Sequence, residues 1–136
     1  MDIIIPGKPI AKKRARFSRR GKYVVTYNDQ RKEEEGWILL AKSQITDFFK
    51  DIVWVTLIFY MPRPKSHYGT GEKSARLKAN APIYHTKKPD VDNLVKFCLD
   101  CLNGLAWQDD SQISEMRVRK IYSEEPRTEI TIGEII

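Results

Sequence analysis

The feature of this sequence that most constrains its fold is a run of ten residues, "IVWVTLIFYM", at positions 52 to 61. The run is rich in β-branched and aromatic residues, which favour β-strands. It is apolar on both faces, which is typical of a strand in the middle of a sheet. Thr56 interrupts it, and no apolar run in the chain reaches the ~18 residues that a membrane-spanning helix needs. We therefore predict a central strand, and we expect no membrane partner.

Shorter segments on both sides of this run predict the rest of a sheet. "DIIIP" predicts a first strand that ends at Pro6 and Gly7. The turn-like "RRGK" before "YVVTY" predicts a hairpin. Near the C-terminus, two alternating segments flank the turn "SEEP", so we predict that these last two strands pair with each other. Together, these segments predict a small mixed sheet of about four strands.

Two segments have the spacing of amphipathic helices. Residues 28–49 carry an apolar stripe, with Asn28 or Asp29 as the N-cap. Residues 92–103 have apolar side chains on one face, and Gly104 marks the end. The chain of 136 residues is therefore predicted to be a single domain of the α/β (α+β) class, with the sheet packed against two main helices. Its two cysteines lie on an apolar helix face, which indicates buried thiols rather than a zinc site.

The charge of the chain indicates a polyanionic partner. The formal net charge is +6, which favours nucleic acid. The segment from Lys8 to Lys22 holds eight Lys or Arg residues and no acid, so we predict contacts to phosphates, the alternative being a solvated charge run. The predicted DNA-binding residues in this segment are Lys12, Lys13, Arg14, Arg16, Arg19, Arg20 and Lys22. No basic stretch precedes the apolar N-terminal residues, so we expect a cytoplasmic protein.

A long segment without a clear strand or helix pattern spans residues 62–88. It is rich in basic residues, Gly, Pro and Ser, and Glu72 is its only acid. Loops of this length in compact domains are usually functional or disordered. A helical turn is expected near residues 73–79. The two histidines, His67 and His85, lie in or near this loop and are expected to be surface residues.

The stretch "KKPDVDNLVK", residues 87 to 96, places two acids between lysines. If a helix begins near Asp92 and Asp90 is still extended, the two carboxylates can converge, with Lys96 one turn away on the same face as Asp92. Such a group can hold Mg²⁺ against a phosphate, because Mg²⁺ takes one or two protein carboxylates and completes its shell with water and phosphate oxygens. The alternative is that Asp92 is only a helix N-cap. Lys87 and Lys88 either steer DNA or offset the local negative charge.

A second pair of acids, Asp109 and Asp110, follows this helix in "AWQDDSQ". A helix of ~12 residues is about 18 Å long, so the chain must fold back for these acids to reach Asp90. The alternative is a solvated turn, since Asp is a turn former. We expect Trp107 to be a packing anchor that fixes the position of this turn.

The run "KPDVDNLVKFCLDCLNGLAWQDDSQI" resembles the signature of RusA-type Holliday-junction resolvases, which are endodeoxyribonucleases. That pattern is a D-x-D-N-L-x-K block, a helix, and an aromatic residue shortly before a D-D pair. The match covers residues 87 to 120, with a weaker likeness in layout toward the N-terminus. The loop at 62–88 looks longer than in the best-known member of the family.

The resemblance implies the roles of the site residues. Asp90 and Asp92 are similar to the first two catalytic acids, Lys96 to the catalytic lysine and Asp110 to the third acid, with Asp109 its less critical neighbour. The three acids, together with Asp109, are then expected to hold one or two metal ions.

The resemblance also implies an activity. The family is expected to be a homodimer that depends on Mg²⁺ or Mn²⁺, needs no small-molecule cofactor, and nicks a four-way junction symmetrically on two strands. Such a protein is bacterial or phage-encoded, a prophage origin included. The alternative is a branched-DNA-binding dimer that does not cleave. A glycosyltransferase that uses the D-x-D pair is disfavoured, because 136 residues leave little room for a nucleotide-sugar domain.

Overall fold

The computed structural model describes residues 1–13, 16–20, 23–27 and 30–136, with the backbone alone over 16–20 and 23–27. The strands are β1 (Asp2–Pro6), β2 (Arg16–Arg20), β3 (Tyr23–Tyr27), β4 (Val53–Pro62), β5 (Ile113–Ser123) and β6 (Arg127–Glu134). The helices are α1 (Arg31–Lys42) and α2 (Val91–Leu102), and short 3₁₀ turns cover Lys65–His67, Gly71–Lys73 and Asp110–Gln112. No helix of these described ranges is long and apolar enough to cross a membrane.

Four strands form a mixed sheet in the order β1-β6-β4-β5. β4 is central, parallel to β5 and antiparallel to β6. The predicted central strand and the predicted α+β class, a four-stranded mixed sheet with two helices, are thereby confirmed. β2 and β3 form the predicted hairpin as a separate antiparallel pair.

The predicted pairing of the last two strands is wrong. β5 and β6 are neighbours in sequence, but each pairs with β4 from opposite sides. The connection at 124–126 therefore crosses past the end of β4. This crossing spans two strand spacings, about 10 Å, which three extended residues can cover. The exchange gives the apolar β4 a partner on both edges, and β6 gains a second partner in β1.

Both helices cover one face of this sheet. Along β4, buried and half-buried residues alternate, from buried Val53 to buried Met61. The buried set forms one core with residues of β1, β6, α1 and α2. The two helices meet where the rings of Trp37 and Phe97 pack edge to face, with centroids 6.1 Å apart. Cys98 and Cys101 are buried free thiols in α2, as predicted, and burial raises the pKa of Cys101 to about 12.

The first helix is shorter than predicted. α1 ends at Lys42 rather than near residue 49, and its N-cap is Gln30, while Asn28 and Asp29 lie outside the described residues. Two polar side chains explain the end of the helix, because Ser43 and Gln44 both donate hydrogen bonds to the carbonyl of Leu40, at 3.0 and 3.1 Å. Side chains that bond to nearby backbone carbonyls compete with continued helix.

The long loop at 62–88 is tied to the free edge of β5. Tyr84 forms an antiparallel bridge with Ile121, the amide of His85 donates to the carbonyl of Lys120 at 3.0 Å, and the amide of Tyr122 donates to the carbonyl of Ile83 at 2.9 Å. The expected helical turn at 73–79 is absent from this described loop, whose second 3₁₀ turn ends at Lys73.

A buried glutamine fixes the segment that leads into the basic hairpin. Gln30 is fully buried, accepts a hydrogen bond from the amide of Lys13 at 2.6 Å, and donates to the carbonyl of Ala11 at 2.7 Å. The amide of Lys12 also donates to the carbonyl of Asn93 in α2, at 2.9 Å. The backbone of residues 11–13 is thus held against both helices.

We expect Gln30→Ala to lower the free energy of unfolding by about 1–3 kcal/mol, because it removes two part-buried hydrogen bonds of about 0.5–1.5 kcal/mol each. Urea unfolding followed by circular dichroism measures the change. Gln44→Ala is the matched control, since Gln44 makes the same pair of bonds to the amide and carbonyl of Ile4 near solvent, both at 2.8 Å. A loss at Gln30 no larger than at Gln44 would contradict the expectation.

Candidate active site

The first acid pair lies at the start of α2. Asp90 occupies the N-cap position with an extended backbone, φ −72° and ψ 149°, and Asp92 lies in the first turn. The carboxylate of Asp90 makes no capping hydrogen bond, and both side chains are exposed. The alternative in which Asp92 is the N-cap is therefore wrong. The expected arrangement, an extended Asp90 beside a helix that begins near Asp92, is confirmed.

A cavity of about 450 Å³ lies between α2 and the start of β5. Its polar lining consists of Asp92, Lys96, Asp100 and Asp110, and its apolar lining consists of Val95, Leu99, Ile113 and Met116. Three of the polar residues recur at intervals of four, so they lie along one face of α2. The structure thus brings together three of the four residues predicted to be catalytic, and Asp90 stands just outside this lining.

A buried tryptophan and the residue after α2 together hold Asp110 near the C-terminal end of that helix. Trp107 is fully buried, as predicted, and its indole Nε1 donates to Oδ1 of Asn103 at 2.7 Å. The amide nitrogen of Asn103 in turn donates to Oδ2 of Asp110 at 3.3 Å. Asn103 lies eleven residues after Asp92, about 16 Å along a helix axis. Asp92 and Asp110 therefore line the cavity from opposite ends of α2.

Asn103 acts as a positioning residue, a role that sequence reasoning did not single out. The signal that could have found it is the spacing of four between an amide and a tryptophan. Gly104 between them has φ +78°, a conformation that favours glycine.

Asp109 shapes the turn. Its carboxylate accepts a hydrogen bond from the amide of Ser111 at 3.1 Å, as the N-cap of the 3₁₀ turn. Hydrogen bonding from the side chain of Ser111, and then from its backbone amide, lowers the pKa of Asp109. The side-chain oxygen of Gln112 accepts a hydrogen bond from the amide of Asp109 at 3.2 Å, which completes a capping box. Asp109 is therefore a turn residue, as the alternative interpretation of "QDDSQ" predicted. Its place among the metal ligands stays a prediction.

The donor chemistry of the cavity fits a hard divalent cation. No ion pair or side-chain hydrogen bond within the described residues engages Asp90 or Asp92. In the same residues, no three His, Cys, Asp or Glu side chains are close enough to bind one ion together. Mg²⁺ needs only one or two protein carboxylates when water and phosphate complete its shell. Asp92 at one end of the cavity and Asp110 at the other can each supply such a carboxylate, and the larger set of three or four acids around the metal stays a prediction.

Lys120 of β5 supports the segment just before the acids, and the sequence analysis did not single it out. Its ammonium donates to the carbonyls of Lys87 and Pro89, at 2.7 and 2.8 Å. This clamp orients the backbone that leads into Asp90. Lys87 and Lys88 themselves have exposed side chains, as a role in contacting DNA requires.

The basic segment at 8–22 has acidic partners that its own sequence lacks. The ammonium of Lys12 lies 3.2 Å from Glu34 and 3.3 Å from Asp100. Burial lowers the pKa of Lys12, but the hydrogen bonds to these two carboxylates outweigh it and leave the pKa above its ordinary value. Lys13 pairs with Glu33 at 3.3 Å. Lys12 is therefore held inside an ion-pair network and is less free for phosphate than the sequence indicates.

The other predicted DNA-binding residues of this segment are not placed by the structure. Arg14 and Lys22 lie outside the described residues. Arg16, Arg19 and Arg20 belong to β2, of which the backbone alone is described. Their contacts to phosphates stay predictions.

Comparison with known proteins identifies the family of this chain. The model of the endodeoxyribonuclease RusA family matches residues 6–133, which includes both acid pairs, β4, β5 and β6 without its last residue, but only Pro6 of β1. The chain is also 36% identical, over 99% of its length and 99% of the relative's length, to a Bacillus subtilis (strain 168) protein named "Uncharacterized protein YqaN". The match spans nearly the whole described fold rather than the motif alone, and this chain therefore belongs to the RusA endodeoxyribonuclease family.

Proposed function

We propose that this protein is a structure-selective, divalent-metal-dependent endodeoxyribonuclease that resolves four-way DNA junctions by paired, symmetric nicks. The observation that carries the proposal is that Asp92, Lys96 and Asp110 line one and the same cavity. Two carboxylates and an ammonium around one open cleft suit the hydrolysis of a phosphodiester, since they supply cation ligands and a positive charge for the reacting phosphate. The family match supports the nuclease class; the four-way junction and the metal are the proposed refinements.

In the proposed site, Asp90 and Asp92 at one end of the cavity and Asp110 at the other would hold one or two Mg²⁺ ions, or Mn²⁺ in their place. A bound cation would supply Lewis acidity and lower the pKa of a water molecule. Lys96, one helical turn from Asp92, faces the same space and stabilises the negative charge that develops on the phosphate. The apolar wall of Val95, Leu99, Ile113 and Met116 gives the deoxyribose a surface to pack on.

Paired symmetric nicks need two such sites related by two-fold symmetry, so the proposed active species is a homodimer. Light scattering at micromolar concentration tests this point directly. A mass of one chain under cleavage conditions would count against coordinated nicking.

The central experiment incubates the protein with a synthetic four-way junction and with a matched linear duplex, with and without Mg²⁺, alongside Asp90→Asn. We expect paired nicks on the junction alone, only with the metal, and we expect the variant to bind the junction without cutting it. Cleavage that is undiminished in Asp90→Asn would contradict the mechanism. Binding without cutting by the metal-replete natural protein would favour the non-cleaving junction-binding dimer.

A further inference from the structure

A second cavity, of about 340 Å³, adjoins the segment that carries the acids. Pro89, which directly precedes Asp90, belongs to its wall, and Lys8, the long loop at 62–88 and the ends of β4 and β5 contribute the rest. Its charged and aromatic lining side chains are Lys8, Arg63, His85, Lys87, Lys88 and Tyr122. These residues come from four separated parts of the sequence, so no linear motif announces the cavity.

The described residues that line this cavity carry positive charges and no negative charge that would neutralise them. Four of its residues are Lys or Arg, and among the described residues that line it there is no Asp or Glu. No ion pair in the described chain engages Lys8, Arg63, Lys87 or Lys88. This differs from Lys12, which two carboxylates neutralise. Like charges gathered in a concave site repel one another, so the arrangement favours an anion that fits between them.

The walls are fixed before any ligand arrives. One guanidinium nitrogen of Arg63, Nη1, donates to the carbonyl of Pro82 at 2.7 Å and lies 3.3 Å from Nδ1 of His67. Lys120 holds the carbonyls of Lys87 and Pro89. A preorganised site spends less binding energy on ordering its own groups, and the remaining N–H groups of Arg63 have no partner among the described residues.

His85 has an unused polar atom at this place. Its Nδ1 is buried and has no hydrogen-bond partner within the described residues. Buried polar atoms are normally paired, and this unpaired one belongs to a residue of the cavity wall. Burial, and then the nearby charge of Lys120, lowers the pKa of His85. Neither histidine is the plain surface residue that the sequence predicted, since both are partly buried.

The cavity suits a phosphate rather than a base. The ring of Tyr122 is already in contact with the rings of His67 and His85, with centroids 4.7 and 4.9 Å away. The guanidinium carbon of Arg63 also lies over this ring, 5.3 Å from its centroid. Stacking of a base needs an open aromatic face, which Tyr122 does not offer. The remaining recognition chemistry is that of cations and N–H donors, which phosphate oxygens accept.

We propose that this cavity binds one backbone phosphate of the DNA strand that runs into the acidic cavity, which rests on the proposed nuclease function. The Cα atoms of Lys88 and Asp90 are two residues apart, at most about 7.6 Å. Successive phosphates of one strand are farther apart than the axial rise of about 3.4 Å, so this length corresponds to about one nucleotide. The cavity therefore holds a phosphate close to the one that is cut, and so sets the register of the strand.

The test measures binding of a labelled four-way junction in EDTA, so it needs no cleavage. We expect Lys8→Gln/Lys88→Gln to weaken binding about 10-fold at 100 mM salt and to lower the slope of log affinity against log salt by about 0.9, the loss of one phosphate contact. Lys65→Gln/Lys73→Gln is the matched control, since these exposed lysines of the same loop carry the same charge but do not line the cavity. Equal losses in both pairs would overturn the proposal.

A second readout follows the imidazole of His85 by NMR, which is simple because the chain has two histidines. A short single-stranded oligonucleotide should shift the His85 signal in the natural protein and not in Lys8→Gln/Lys88→Gln. DNA binding without this shift, or an equal shift in Lys8→Gln/Lys88→Gln, would overturn the proposal. A His85 shift in a protein that never cuts a junction would support the cavity and refute the nuclease function, so the two failures are distinguishable.

Discussion

Replacing Asp92 or Asp110 by asparagine is expected to lower the rate of junction cleavage by about 1,000-fold or more. Asparagine keeps the shape of the side chain but removes the charge that holds a divalent cation, and both carboxylates line the same cavity. Binding of the junction in EDTA should stay the same or tighten, since one negative charge fewer then faces the phosphates. Single-turnover cleavage of a labelled junction and a separate binding titration measure the two effects.

Asp100→Asn is the matched control for this prediction. Asp100 lines the same cavity, but its carboxylate is paired with Lys12 at 3.3 Å, so it is not available to a cation in the same way. We expect its cleavage rate to fall by less than about 10-fold, in line with an indirect effect. If Asp100→Asn were as inactive as Asp92→Asn, the total charge of the cavity, rather than particular ligands, would determine the activity.

The local structure of this protein follows closely from its sequence. The α2 helix, the central strand and the hairpin are each specified by short-range periodicity and by turn residues. Even the extended backbone of Asp90 follows from its place directly before a periodic helix, since an N-cap residue is typically extended. Such features depend on neighbours in sequence, which a single chain displays directly.

The order of the strands does not follow in the same way. The sequence favours a hairpin between β5 and β6, because they alternate and are joined by a turn of three residues. What decides the outcome is the apolar β4, whose two edges both need partners. That requirement acts between strands more than fifty residues apart and is invisible to local pattern.

The site shows the same division between local and distant information. The spacing of Asp92 and Lys96 on one face is a local property of a helix. The return of Asp110 depends on Trp107 filling the core, and on Asn103 linking the indole to the carboxylate. The partners of Lys12 lie in α1 and α2. The sequence indicates a free positive charge at this residue, and the fold neutralises it with two carboxylates.

Replacing Lys96 by methionine is expected to lower the cleavage rate by about 100- to 1,000-fold. Methionine keeps much of the length of the side chain but removes the charge that stabilises the phosphate as it reacts. Lys96 is exposed in the cavity, and no ion pair in the described chain engages it, so its ammonium is available to the substrate. Because this interaction is strongest in the transition state, kcat should fall more than the affinity for the junction.

Two further variants separate this role from a general effect of charge. Lys96→Arg keeps the charge on a longer, planar group and should recover part of the lost rate, because a positive charge returns with altered geometry. Lys42→Met, in the exposed last turn of α1, removes the same charge away from the cavity and should cleave at the natural rate. Should Lys96→Met bind weakly yet cleave bound junction normally, the lysine would serve to attract DNA, and the carboxylates with their cation would carry the chemistry alone.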